Sequence, residues 1–220
     1  MVARWELVRD GDLVVDLGCG CGAMAPALGE RMGEAGRYVG IDLHRPSIRW
    51  CRRRFGGDPR FRFEGVEAEG ASAAPGFGGG YRLPVEDGAA GFLLAKSLFT
   101  HLLEEEARVY LGEIRRVLAP GRRALVTAFL FDGSPGAGGT APPAFPFPPE
   151  PGAPVRWLRA SRPRAAVAYE WSFFGGMLAA AGLEISSFVH GFYPGTDRRP
   201  RGQDVLVVER SGGGTLAGYG

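Results

Sequence analysis

Val14-Val-Asp-Leu-Gly-Cys-Gly-Cys-Gly-Ala-Met-Ala-Pro-Ala-Leu28 is the stretch that decides the fold. An apolar run meets an acid, Asp16, then glycines at 18, 20 and 22, then small residues suited to a helix. The pattern predicts a strand, a tight turn and a helix start. Glycines let the backbone turn with φ > 0 and approach a ligand closely. The helix behind them aims its unpaired N–H groups at the same spot. A dinucleotide fingerprint spaces its glycines G-x-G-x-x-G, whereas here the spacing is G-x-G-x-G and an acid closes the strand. That acid suits a cationic ligand better than a pyrophosphate.

Arg37-Tyr-Val-Gly-Ile-Asp42 is a second β-rich run ending in an acid. It lies roughly 20 residues beyond the glycines, the offset at which a carboxylate accepts from ribose hydroxyls. Acidic turn and ribose acid together describe a nucleoside cofactor with no phosphate requirement.

Further along, Pro46 opens a helix running through Phe55, and Phe61–Val66 alternates as a third strand. Successive β/α units predict a Rossmann-like, doubly wound α/β fold with a mostly parallel sheet. Residues 69–80 read as loop and Gly91–Lys96 as the fourth strand. Glu104–Leu118 is the clearest helix, with acids in its first turn, Arg115 and Arg116 in its last, and Val109, Ile114, Val117 and Leu118 expected along one stripe. Ala124–Phe131 is the next strand. Residues 132–166 are expected as a Pro/Gly-rich insertion or lid; its first part, Asp132–Pro154, holds eight prolines without periodicity and reads equally as disordered. A helix is expected over Tyr169–Ala181, strands over Leu183–Val189 and Asp204–Glu209, and a tail over 211–220 after a single domain of residues 1–210.

The chain resembles the class I S-adenosylmethionine-dependent methyltransferases, in particular the bacterial type 11-like members. Five blocks in the family's order carry the resemblance: Val-Val-Asp-Leu-Gly-Cys-Gly (14–20), Val-Gly-Ile-Asp (39–42), Arg-Leu-Pro-Val-Glu-Asp-Gly (82–88), Leu-Phe-Thr-His-Leu (98–102) and Ile-Arg-Arg-Val-Leu-Ala-Pro-Gly (114–121). It implies a seven-stranded sheet ending in an antiparallel hairpin, S-adenosylmethionine as cofactor, and in-line methyl transfer to a small-molecule O or N acceptor.

By the same resemblance, Asp16 with the turn Gly18, Cys19 and Gly20 would hold the methionine amino group, Asp42 the ribose and Leu43 one adenine face. Glu67, with Ala68 beside it, or its rival Glu69 would accept from the adenine amine. Lys96 and Ser97 sit at the crevice edge beyond strand four, where open α/β sheets bind ligands. Lys96 reads either as a partner for an anionic group or as a chance surface lysine. His101 reads as a general base for the acceptor or as the cap of a turn, and His44 as a neighbour of the adenine edge.

The chain departs from its relatives at Ala90-Gly91, where Phe-Asp is usual, at Arg122, where a glycine is usual, and in having only a dozen residues before the first strand. These motivate an alternative: a methyltransferase-like protein that binds the cofactor without turnover. A nicotinamide dehydrogenase is third, disfavoured by the glycine spacing.

The 220 residues, 45% hydrophobic, fit one globular domain. No signal peptide or membrane-length apolar run is evident, which leads us to expect a cytoplasmic protein without a membrane partner. Net charge is only +2 and the cations are nearly all arginine, Lys96 being the single lysine, so no nucleic-acid partner is expected. Arg52-Arg53-Arg54 reads as a solvated helix end. Cys19, Cys21 and Cys51 lack the spacing of a metal site or a disulfide framework, and no metal is expected.

Overall fold

The computed structural model describes residues 7–66, 82–131, 147–148, 152–189, 191 and 203–211. Strand β1 (Leu13–Leu17) leads through the glycine turn into α1 (Ala25–Met32), β2 (Arg37–Asp42), α2 (Arg45–Phe55) and β3 (Phe61–Gly65). After β4 (Ala90–Ala95) come α3 (Glu104–Val117) and β5 (Leu118–Phe131). The remainder is β6 (Val155–Trp157), β7 (Val167–Glu170), α4 (Trp171–Ala180), β8 (Leu183–Val189) and β9 (Asp204–Arg210).

Strands β3, β2, β1, β4 and β5 lie side by side in parallel, with β9 antiparallel on β5 and β8 antiparallel on β9. This is the doubly wound sheet with a C-terminal antiparallel pair that the sequence implies. Because the chain leaves β1 for β2 on one side and later returns to β4 on the other, their carboxyl ends diverge into a crevice.

Alternation along the strands divides the core in two. Val14, Phe92 and Leu94 pack with Leu28, Met32, Ile48 and Cys51 of α1 and α2. Val15, Leu17, Leu93 and Ala95 face Leu111, Ile114 and Val117 of α3 and Met177 and Leu178 of α4. Each layer buries large aliphatic side chains, at about 1.5–3 kcal/mol apiece.

Several expectations shift. Val109 is exposed rather than on the buried stripe of α3; Ala107, Tyr110, Leu111, Ile114 and Val117 form that face, spaced three and four apart, and Val109 falls between its rows. Tyr169 and Glu170, expected in a helix, belong to β7, where Tyr169 pairs with Leu130 and the helix begins only at Trp171. Together β6 and β7 extend the sheet to nine strands. Strand β5 therefore changes partner along its length: β9 flanks it through Ala128 and β7 from Phe129 onward. At the hand-over the buried Asp204 carboxylate accepts from the Leu130 N–H at 2.9 Å, satisfying the amide that β9 no longer reaches. Within the 132–166 segment, β6 and a short turn over Pro163–Ala165 are ordered elements, while residues 132–146 and 149–151 lie outside the described residues.

Candidate functional site

The glycine turn is stitched to β2. The N–H groups of Gly18 and Cys19 both donate to the Ile41 carbonyl, at 2.8 and 3.1 Å. Gly18 and Gly20 have φ of 72° and 53°, and a Cβ at either would meet no close obstruction, so backbone conformation rather than space demands glycine there. Gly20 then turns its N–H onto Asp42 Oδ2 at 2.7 Å, and His44 N–H donates to Asp42 Oδ1 at 2.7 Å. Two backbone donors thus fix the carboxylate and leave one lone pair on each oxygen for a ligand.

Asp42 lines a cleft of about 220 Å³ at the carboxyl ends of β1, β2 and β4. Its walls are Leu17, Gly18, Ile41, Leu43, Val66, Ser97, Leu98, His101, Leu102 and Tyr110. An apolar slot with one oriented carboxylate fits a flat heterocycle joined to a diol.

Of the residues singled out in the sequence, Gly18, Asp42, Leu43, Ser97 and His101 converge on this cleft. Cys19 is buried beneath the turn and Gly20 serves through its amide. Asp16 lies below the turn, 2% exposed, because strand alternation places it on the face of Val14 and Tyr38. The Tyr38 hydroxyl donates to Asp16 Oδ2 at 2.6 Å. Burial pushes the Asp16 carboxyl up to about 6; the Tyr38 hydrogen bond opposes this, the charge of Asp42 adds to it, and the ammonium of the exposed Lys96 counters it. The Tyr38 phenol is itself pushed far up by burial and the neighbouring carboxylate, so it remains the donor. Glu67, Ala68 and Glu69 lie outside the described residues. His44 does not line the cleft: its ring Nδ1 meets Ser47 Oγ at 2.7 Å, and its contribution is the backbone N–H to Asp42.

Ser97 carries a φ of 59°, the one described non-glycine residue in the left-handed region. Its N–H donates to Thr127 Oγ1 at 2.7 Å, and its hydroxyl pairs with the Gln203 side chain, which also meets Thr127. Sequence reading missed Thr127, Gln203 and Tyr38. The sole clue was that Gln203 is the chain's only glutamine.

The departures at Gly91 and Arg122 explain each other. Arg122 Nε donates to the Gly91 carbonyl at 2.7 Å and its terminal nitrogen pairs with Asp12. A side chain at Gly91 would collide with Asp12. This latch sits at the amino end of β4, the opposite edge of the sheet from the cleft.

Residues 14–121 match the protein family described as a methyltransferase domain. That match makes residues 14–121 a methyltransferase domain of the class I, S-adenosylmethionine-dependent kind. It is 31% identical over 118 residues to an uncharacterized transposon protein of Streptomyces fradiae, 54% of this chain and 30% of that one. The chain spans 30% and 21% of the lengths of two curated relatives that it matches. Among solved structures, it is similar to the Burkholderia thailandensis 1,6-didemethyltoxoflavin-N1-methyltransferase, crystallised with S-adenosylhomocysteine (TM-score 0.62, 17% identity, 96% of this chain and 75% of that one). It is also similar to the Streptomyces coelicolor geranyl diphosphate C-methyltransferase (TM-score 0.62, 14% identity, 94% and 77%). The cleft thus lies at the switch point of the sheet, with Asp42 at the end of β2 among its lining residues. Among the described residues no helix is long and apolar enough to cross a membrane, and no cluster of His, Cys, Asp or Glu is arranged to hold a metal ion.

Proposed function

We propose that this chain transfers a methyl group from S-adenosylmethionine to an oxygen or nitrogen of a small-molecule acceptor. The observation that carries the reading is the Asp42 carboxylate, held by the amides of Gly20 and His44 on the wall of an apolar cleft, where it could meet a cis-diol. Leu43, Ile41 and Val66 would pack on the adenine, the Gly18–Gly20 turn would cover the methionine part, and ionised Asp16 beneath it would favour the ammonium. When bound, S-adenosylmethionine supplies a methyl already activated by a positive sulfur. The chain's remaining task is to hold donor and acceptor collinear and dry, an effect worth several kcal/mol by proximity. His101, on the cleft wall, would take the acceptor's proton at a ring nitrogen.

The alternative reading, cofactor binding without turnover, draws on Ala90, on the few residues before the first strand, and on Gly91 and Arg122. Their mutual latch with Asp12 lies away from the cleft, which favours the active enzyme. Calorimetry with S-adenosylmethionine and S-adenosylhomocysteine tests the proposal. Asp42→Ala should weaken both by about 1.5–3 kcal/mol, the worth of charged hydrogen bonds, and failure of the unaltered chain to bind either would end the reading.

A further inference from the structure

Beside the cleft, His101 Nδ1 lies 2.9 Å from the backbone carbonyl of Arg164, a residue 63 positions further along the chain. A carbonyl oxygen only accepts, so Nδ1 is the protonated nitrogen and Nε2 carries the lone pair. The Arg164 guanidinium is in turn held by Glu106, with Nη2 at 2.8 Å and Nε at 3.1 Å from Oε1. Glu106 is fully buried, and its other oxygen accepts from the Leu103 N–H at 2.8 Å. A third tie comes from Tyr169, whose hydroxyl donates to the Leu102 carbonyl at 2.5 Å. The element running from β6 to β7 is therefore fastened to the segment carrying His101 by three separate contacts.

Burying a carboxylate whose charge partner is one-third exposed is costly unless every oxygen is engaged. If Glu106 served only to cap α3, its bond to Leu103 would suffice. The forked pair to Arg164 instead fixes where that residue's carbonyl points, and the carbonyl meets the one described histidine on the cleft wall. Among the described residues, Nε2 of His101 has no hydrogen-bond partner. We propose that Arg164 is a positioning residue for His101 and that Glu106 anchors it, so that the neutral imidazole is locked with its proton on Nδ1 and its basic Nε2 available to an acceptor. The role given to Nε2 rests on the methyl-transfer reading; the locked tautomer does not.

The test needs no acceptor. Long-range proton–nitrogen correlation spectra of the full chain, labelled with nitrogen-15 and held at mildly alkaline pH, report the tautomer of each of its three histidines. Loss of one signal set in His101→Gln assigns that ring. The expected result is predominantly the Nδ1–H form at His101, turning to a mixture or to the Nε2–H form in Glu106→Gln and in Arg164→Ala. Arg164→Lys, which keeps a cation for Glu106, should restore much of the original pattern. Arg164 is one-third exposed, so its variants report even where Glu106→Gln fails to fold. An Nδ1–H form that persists in Arg164→Ala, or an Nε2–H form in the unaltered chain, would overturn the inference. Failure of the unaltered chain to bind S-adenosylhomocysteine would overturn the methyl-transfer reading and leave the tautomer result standing.

Discussion

Tyr38 on β2 donates its phenolic proton to Asp16 on β1 at 2.6 Å, both groups buried beneath the glycine turn. The hydrogen bond keeps a desolvated carboxyl ionisable in the physiological range.

With a folded pKa of about 6 against an ordinary 3.8, Asp16 binds a proton more tightly in the native state than in the unfolded one. Its contribution to stability is fully present below the ordinary pKa and is lost as pH rises from about 4 to about 6, on the order of 3 kcal/mol. Binding of a cationic ligand runs the other way, because only the ionised carboxylate attracts it. S-adenosylmethionine affinity should therefore climb as pH passes through about 6 and level off above it. Removing the hydrogen bond in Tyr38→Phe should move that midpoint upward, which calorimetry across the pH range would show. A flat profile in both chains would mean that Asp16 does not sense the ligand.

A left-handed serine on the cleft wall costs about 1–2 kcal/mol that glycine would not. Thr127 and Gln203 hold Ser97 there. Gln203→Ala should weaken S-adenosylhomocysteine binding by about 1 kcal/mol, roughly fivefold. Adding Ser97→Gly should recover most of the loss, since glycine adopts the same φ without help. Titrations of the single and double variants decide this.

Arg122→Ala takes the charge partner from the nearly buried Asp12 carboxylate, which keeps the Arg9 N–H at 2.7 Å. Destabilisation of about 1–3 kcal/mol is expected in urea unfolding. Gly91→Asp should be worse, because its side chain meets Asp12 with like charge and no room. Recovery of Gly91→Asp by Asp12→Gly would confirm that the two positions exchange roles.

Burial pushes the Cys51 thiol up to about 11 and the Cys19 thiol higher still. Only Cys21 is exposed. Under native conditions near pH ~8, a maleimide should label Cys21 rapidly and the other two only on unfolding, as mass spectrometry of digests would reveal.

Local sequence determined every element whose cause is local. The alternate glycines at 18, 20 and 22 all adopt positive φ, Asp16 and Asp42 lie toward the carboxyl ends of β1 and β2, and the acid-to-base gradient along α3 matches its dipole. The doubly wound, mostly parallel character of the sheet followed too, since successive β/α units dictate it. Tertiary structure decided which side chains face the cleft and which lie beneath it. Tyr38 reaches Asp16 across a strand pair, Gln203 reaches Ser97 from 106 positions away, and Arg164 reaches His101 from 63. None of these pairings leaves a periodicity or a spacing in the chain. Each exists because the sheet brings strand ends together, and hydrogen bonds discriminate at tenths of an ångström that residue order does not encode. The same reason accounts for Tyr169, an unremarkable helix candidate until β5 outran β9 and needed another strand beside it.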